Sequence, residues 1–258
     1  MHPVLFQLGG LRVYSYGFFV ALGLLVAAWW LAKKVKKKGG SLQFVIDLVL
    51  LVLVAGIVGA RLAYIILYDP YFYFTHPWHI LMLQEGGLAF YGAFVSGLAV
   101  AFFYLRKAQI PFLSFLDLAS PSLALGYAVA RIGCFLNGCC YGRPTGLPWG
   151  VVFPAVDGLT RHPTQLYSLL AGLVIFLVLE YLTPRARFRG QIFSMFLVLY
   201  GLSRAGIELL RENLQLSGGA GMAALAALTL AVGGGLFYLY RARRPGEFAS
   251  PGLGIDGK

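Results

Sequence analysis

Seven apolar runs of about 20 residues, each long enough to cross a hydrocarbon core about 30 Å thick, occupy about residues 14–32, 44–68, 87–105, 115–137, 164–183, 190–210 and 220–240. Inside lipid the backbone must satisfy its own hydrogen bonds, so runs of this length predict an all-α integral membrane protein with seven transmembrane helices. The composition agrees, with 59% of the 258 residues hydrophobic and 12% charged, about half the charge of an ordinary soluble domain. Residues 1–240 are therefore expected to form one seven-span domain, followed at 241–258 by a short basic, Gly/Pro-rich cytoplasmic tail.

The net charge of +11 is distributed by these runs. Lysines 33, 34, 36, 37 and 38 follow the first run, Arg106 and Lys107 the third, Arg185, Arg187 and Arg189 the fifth, and Arg241, Arg243 and Arg244 the seventh. The positive-inside rule then puts the N-terminus outside and the C-terminus in the cytoplasm. No nucleic-acid-binding motif accompanies these groups, so no nucleic-acid partner is expected. The first run lacks a basic leader and is followed by lysines, so it reads as a retained helix and not a cleaved signal. Cys134, Cys139 and Cys140 lie within seven residues without a second CxxC or a histidine pair of zinc spacing. They predict neither a disulfide framework nor a metal site, and no cofactor is expected.

Apart from Lys258, every remaining basic residue is an arginine: Arg12, Arg61, Arg131, Arg143, Arg161, Arg204 and Arg211. Each either caps a helix, pairs with a local acid, or offers a bidentate, weakly hydrated partner to phosphate or carboxylate. The fourth run closes on Arg131-Ile-Gly-Cys-Phe-Leu-Asn137-Gly-Cys-Cys-Tyr-Gly142-Arg143, a costly ending for a membrane helix unless the charge has a partner or a purpose. Gly56, Gly59 and Ala60 precede Arg61 in the second run and permit close helix approach, which turns Arg61 into the bundle. The aromatic stretch 69–85, broken by Pro70 and Pro77, reads as an outer interfacial arm, with His76 and His79 as interfacial residues. Glycines flank Tyr91 in the third run. Residues 138–162 read as an irregular outward-facing loop, and Arg161-His162-Pro163-Thr164-Gln165 as a helix start able to receive an anion. At 100° per residue, Tyr200, Arg204, Glu208 and Arg211 share one helix face. Arginines, a polar loop and a helix start thus converge on one side of the bilayer, a pattern suited to an anionic lipid phosphate, whether for catalysis or for binding alone.

At these motifs the chain resembles the prolipoprotein diacylglyceryl transferases of bacterial plasma membranes. The likeness runs from about Pro3 to Asn213 through Tyr16-Gly17, Gly59-Ala-Arg-Leu62, Gly86-Gly-Leu-Ala-Phe-Tyr-Gly92, Arg131 to Arg143, His162-Pro-Thr-Gln-Leu-Tyr167 and Tyr200-Gly-x-x-Arg204. The resemblance implies a multi-pass enzyme whose active site faces outward. Its substrates are phosphatidylglycerol and preprolipoproteins bearing a lipobox cysteine, whose thiol attacks the glyceryl carbon and releases glycerol 1-phosphate. It implies catalytic roles for Arg131 and Arg204 and a headgroup pocket shaped by Tyr16, Asn137, Gly142 and Tyr200. Arg61, Arg143, His162, Gln165 and Arg211 are further substrate-binding candidates, and Glu208 would hold Arg204 or Arg211. Many relatives carry histidine at Tyr91 and asparagine at Cys134. Tyr91 then positions the incoming thiol, or the thiolate forms by another route, and the cysteines are packing residues. The alternative is a non-catalytic phospholipid-binding or transport relative of the same fold. A retinal protein lacks its lysine here, a rhomboid-type protease its Gly-x-Ser-Gly, and a CDP-alcohol phosphotransferase its aspartate motif.

Overall fold

The computed structural model describes residues 1–8, 11–82, 86–211 and 219–243. Most of the expected tail, 244–258, lies outside the described residues. All seven apolar runs are helical, as α1 (Ser15–Lys37), α2 (Leu42–Tyr68), α4 (Phe90–Lys107), α5 (Phe112–Asn137), α6 (Thr164–Leu182), α7 (Gln191–Leu210) and α8 (Gly219–Ala242); a short α3 (Pro70–Thr75) precedes α4. Six of the long helices are long and apolar enough to cross a membrane. The seventh, α4, is 18 residues long, ends in Arg106 and Lys107, and is not among the six. Of the seven expected spans, six are thus matched by length and composition among the described residues, and the terminal charges of α4, the shortest of the long helices, lower its apolar character.

The chain forms two compact units, Met1–Lys34 with the part from Leu113 onward, and Val35–Phe112. The first unit opens on an antiparallel hairpin of β1 (Val4–Leu8) and β2 (Leu11–Tyr14), with Phe6 opposite Val13 and Gln7 opposite Arg12. Ser15 fastens the hairpin to α1. Its N–H donates to the Pro3 carbonyl at 2.9 Å and its hydroxyl to the His2 carbonyl. The His2 N–H in turn donates to Leu136 near the end of α5, also at 2.9 Å. Helices α1 and α5 cross at paired glycines: a Cβ on Gly126 would lie 2.8 Å from the Gly23 carbonyl oxygen, and one on Gly23 would lie 2.6 Å from that of Gly126. Farther along, a Cβ on Gly133 would lie 3.2 Å from the Tyr16 Cα. That contact seats Tyr16 two residues beyond Arg131.

Ala124, Ile175, Leu179 and Ile192 form a buried core between α5, α6 and α7, lined by Phe176, Met195 and Tyr200. Asp117 fixes the start of α7, accepting from the Gly190 N–H at 2.6 Å and the Phe193 N–H at 2.8 Å. These are orphan donors of a helix N-terminus, which an acidic side chain satisfies. At the same end of the bundle, Glu180 near the close of α6 accepts from Lys34 Nζ at 2.6 Å and Trp30 Nε1 at 2.7 Å.

The stretch 138–162 is more regular than its prolines and glycines suggest. β3 (Val151–Val152) pairs with β4 (Thr160–Arg161), and bridges join Pro144 to Arg161 and Gly142 to Arg211. A narrow ribbon results, in the order 151–152, 160–162, 142–145, 210–211. Helix α7 ends at Leu210, so Arg211, expected on its helical face, instead sits in extended backbone against Gly142.

In the second unit α2 and α4 approach through Gly59 and Gly92, whose Cβ positions would each strike the other helix. The Ser96 hydroxyl donates across this contact to the Ala55 carbonyl at 2.8 Å. Arg61, 4% exposed, points away from lipid as its small-residue neighbours predict. Tyr71, Phe74 and Trp78 of the aromatic stretch are 79%, 87% and 75% exposed, the disposition of a surface that faces lipid or its interface.

Gly126→Val would drive a branched side chain into the Gly23 carbonyl. Overpacking of this kind costs about 1–3 kcal/mol, so the thermal midpoint in detergent micelles should fall by several degrees. An unchanged midpoint would show that α1 and α5 do not meet there.

Candidate active site

The first unit gathers eleven of the thirteen sequence-derived candidates around the C-terminal ends of α5 and α7 and the start of α6. Its electrostatic centre is Glu208, 1% exposed. One carboxylate oxygen takes Arg204 Nη2 at 2.6 Å and Arg211 Nη1 at 3.3 Å. A carboxylate buried this deeply requires such partners, and each guanidinium is fixed in return.

Arg131 is held differently. Its guanidinium lies over the Tyr127 ring, 4.6 Å from the centroid, and Nη1 is 3.9 Å from Cys134 Sγ. Tyr127 meets the Tyr200 ring edge-on at 5.3 Å, and Tyr200 stacks on Phe196 at 5.8 Å. An aromatic ladder thus runs from α5 to α7 beneath the arginine. No carboxylate pairs with Arg131 among the described residues. Tyr16 lies within electrostatic reach of Arg131 and of all three thiols, and is half exposed.

After Asn137 the chain turns through Gly138 (φ +74°) and Cys140 (φ +63°), left-handed conformations that glycine adopts freely and cysteine does not. The turn is held by α6. Gln165 Nε2 donates to the Cys139 carbonyl at 2.6 Å and Thr164 Oγ1 to the Cys140 carbonyl at 2.5 Å. The Gly142 N–H donates to His162 and the Arg143 N–H to Leu210, both at 2.9 Å. Gly142 has no room for a side chain, since a Cβ would lie 2.6 Å from both the Leu210 carbonyl oxygen and the His162 Cβ. A glycine at this place in the motif is a matter of space. The side chain of Arg143 is exposed. His162 Nδ1 lies 3.2 Å from the Tyr167 hydroxyl, which also accepts from Trp149 Nε1 at 2.8 Å.

The three cysteines are free and hydrogen-bond to one another, with Asn137 contacting Cys139. The Cys140 thiol is held below its ordinary value by hydrogen bonds to the Cys134 and Cys139 thiols, reinforced by the Arg211 and Arg131 charges. Among the described residues no group of three or more His, Cys, Asp or Glu side chains is arranged to hold a metal ion.

Two arginines make their observed contacts within the fold. Arg161, 5% exposed, grips Asp157 with Nε at 3.1 Å and Nη2 at 2.5 Å. It also donates to the Gly142 carbonyl at 3.2 Å and lies over the Tyr141 ring. That hydrogen-bonded pairing holds the exposed Asp157 carboxyl below its usual range. In the second unit Arg61 donates to the carbonyls of Ile80, Gly86 and Gly87, and His79 and Met82. Its guanidinium sits 5.1 Å from the Tyr73 ring centroid. Every nitrogen of Arg61 is engaged in clamping the aromatic arm, so its observed contacts are with backbone. Tyr91 also belongs to this unit, 78% exposed at the start of α4.

Sequence reasoning missed Tyr127, Asp157 and Thr164. Tyr127 stands four residues before Arg131 and Asp157 four before Arg161, the spacings at which side chains on one helix or loop turn meet; that spacing was the available signal. Thr164 carried none beyond its place at a helix start.

The family described as prolipoprotein diacylglyceryl transferase matches residues 3–240. The phosphatidylglycerol–prolipoprotein diacylglyceryl transferase of Clostridium tetani is 38% identical over 217 residues, covering 83% of this chain and 86% of that protein. Those of Bordetella avium and Geobacter sulfurreducens are each 35% identical. The former covers 94% of this chain and 95% of its own length, the latter 81% and 82%.

Because the Cys140 thiol is depressed, its thiolate should persist on the acid side of about pH 8.5, where an ordinary cysteine protonates. Bimane labelling of the intact protein, resolved by tandem mass spectrometry, should give a Cys140 rate that is already level at pH 8. A rate still climbing through pH 8 to 9 would contradict this.

Proposed function

From membership of the prolipoprotein diacylglyceryl transferase family, to which this chain belongs, we propose how its residues share the work of moving a diacylglyceryl group. The chain transfers that group from phosphatidylglycerol to the lipobox cysteine of a preprolipoprotein. The cysteine sulfur forms a bond to the glyceryl carbon, the carbon–oxygen bond to phosphate breaks, and glycerol 1-phosphate leaves with the electron pair. Charge grows on the phosphate oxygens as the bond breaks, and preorganised guanidiniums aimed at that charge lower the barrier.

The observation that carries this assignment is Arg131, a partly buried guanidinium at the end of a membrane helix with no carboxylate partner among the described residues. A charge so placed favours an anionic ligand. Arg204, held by Glu208, supplies the second cation at the phosphate. Tyr16, Asn137, Gly142, Arg143, Tyr200 and Arg211 shape the headgroup pocket, with His162 and Gln165 on its α6 side. Tyr91 positions the incoming thiol.

The protein resides in a bacterial plasma membrane as residues 1–240 of one catalytic domain. We take α4 as a seventh span, with the N-terminus and active site outward and the tail cytoplasmic. The four basic clusters between alternate helices support that orientation.

Purified protein incubated with phosphatidylglycerol and a lipobox peptide should add a diacylglyceryl mass to the peptide cysteine. Intact lipid binding without product would favour the non-catalytic reading. Arg131→Ala and Arg204→Ala should each lower kcat by about 100-fold or more, the usual loss for a transition-state donor. Cys139→Ser should keep wild-type turnover, and its inactivity would reassign the thiols. Glu208→Gln removes the counter-charge that fixes two arginines, and its kcat should fall toward that of Arg204→Ala with the lipid still bound.

A further inference from the structure

Gln165 is 1% exposed, and only half of its amide is used. Donation from Nε2 to the Cys139 carbonyl at 2.6 Å fixes which end of the amide is oxygen, since the reverse assignment would set two acceptors against each other. Oε1 is then a buried acceptor with no partner. Buried polar atoms are nearly always satisfied, and an exception calls for a cause. A second orphan flanks the same turn: Nε of Arg211 is buried and unpartnered, while Nη1 of that residue is held by Glu208. Gln165 grips this turn at Cys139, and Arg211 pairs with it at Gly142. The two residues that flank one turn thus leave a neutral acceptor and a cationic donor unused.

A ligand that answers both carries an O–H close to an anionic phosphate. The geometry points to Gln165 Oε1 as the acceptor for a headgroup hydroxyl of a glycerophospholipid whose phosphate faces Arg211 Nε, which makes Gln165 the residue that selects a hydroxylated headgroup. This rests on the transferase reading and extends it to headgroup choice. An amine headgroup also offers N–H donors but brings a positive charge toward Arg131, Arg204 and Arg211. The incoming thiol is a weaker donor than a hydroxyl and a poor match for a strong amide acceptor.

The test compares phosphatidylglycerol with phosphatidylpropanol, which has the same phosphate and chains but no headgroup hydroxyl, at full-length wild type, Gln165→Met and Gln165→Glu. Wild type should prefer phosphatidylglycerol by about tenfold or more in kcat/KM, because rejecting the deoxy lipid reflects a buried acceptor left unpaired. Gln165→Met, apolar and similar in volume, should bring the ratio close to one, and Gln165→Glu, which keeps acceptor oxygens, should retain a preference. Equal loss on both lipids with the ratio intact would show a purely structural role through Cys139 and overturn the assignment. A change confined to the KM of the lipobox peptide would hand the acceptor to the peptide and overturn it as well. If wild type turns over neither lipid, the transferase reading fails. The same ratio is then read from binding, by quenching of tryptophan with bromine-labelled chains, and equal affinities at wild type would overturn the inference on its own.

Discussion

A single carboxylate, Glu208, organises the charged end of the bundle. It is 1% exposed and shared by Arg204 and Arg211. Burial of an ion costs several kcal/mol, and close opposite charges with good geometry repay it. Two of its partners are cations, Arg204 and Arg211. Among the described residues, Arg131 adds a third guanidinium without adding a carboxylate. Such an excess is tolerable where water or an anionic ligand reaches the groups, and their partial exposure provides that access. The position of the carboxylate is inherited from packing below it. Asp117 sets the start of α7, the core around Ile175 and Ile192 sets its rotation, and Gly201 permits close approach to α8, where a Cβ would lie 2.5 Å from the Ala227 carbonyl oxygen.

The ribbon built from residues 142–145, 151–152, 160–162 and 210–211 carries that order from α7 to the turn after α5. Its middle strand has no tolerance for a side chain at Gly142, because backbone and side chains close in from both sides. Arg161 stitches the ribbon by gripping Asp157 and the Gly142 carbonyl together. Irregular backbone at membrane depth survives only when its polar groups are satisfied by protein, and here Gln165, Thr164 and Arg161 do that through carbonyls. The left-handed cysteine at position 140 is strain that those bonds hold in place.

The helices were legible because twenty apolar residues in a row have few other fates, and the shared face of Tyr200, Arg204 and Glu208 followed from helical geometry alone. What the sequence concealed has physical reasons. The ribbon consists of two- to four-residue extended pieces, too short for any alternation to register. The hairpin at 4–14 was hidden in the approach to α1, where its apolar residues merge with the first span. Arg211 was assigned to a helical face because nothing in Leu209-Leu210-Arg211 marks a stop; the helix ends there because the backbone is taken up by Gly142. The seventh span is the least marked by length and composition, because α4 is just long enough to include its own terminal charges.

The arginines show why residue type alone does not identify a site. Arg61 and Arg161 are the two most buried arginines among the described residues, at 4% and 5% exposure, and both are held by carbonyls or a carboxylate. A guanidinium has five N–H donors in a rigid fork, and in these two the fork is spent on holding loops. Arg131 is less buried and lies over the Tyr127 ring, with hydrogen bonds to Tyr127 and Cys134 and no carboxylate partner among the described residues. Arg204 lies between, with one nitrogen tied to Glu208 and the rest of the fork available. Depth of burial therefore does not by itself mark a ligand-binding arginine. The informative quantity is whether a carboxylate already neutralises the charge, and among the described residues none does so at Arg131. The aromatic ladder of Tyr127, Tyr200 and Phe196 braces an arginine near hydrocarbon without a carboxylate; on the proposed reading this matters because a carboxylate brought in to hold the cation would compete with an anionic ligand.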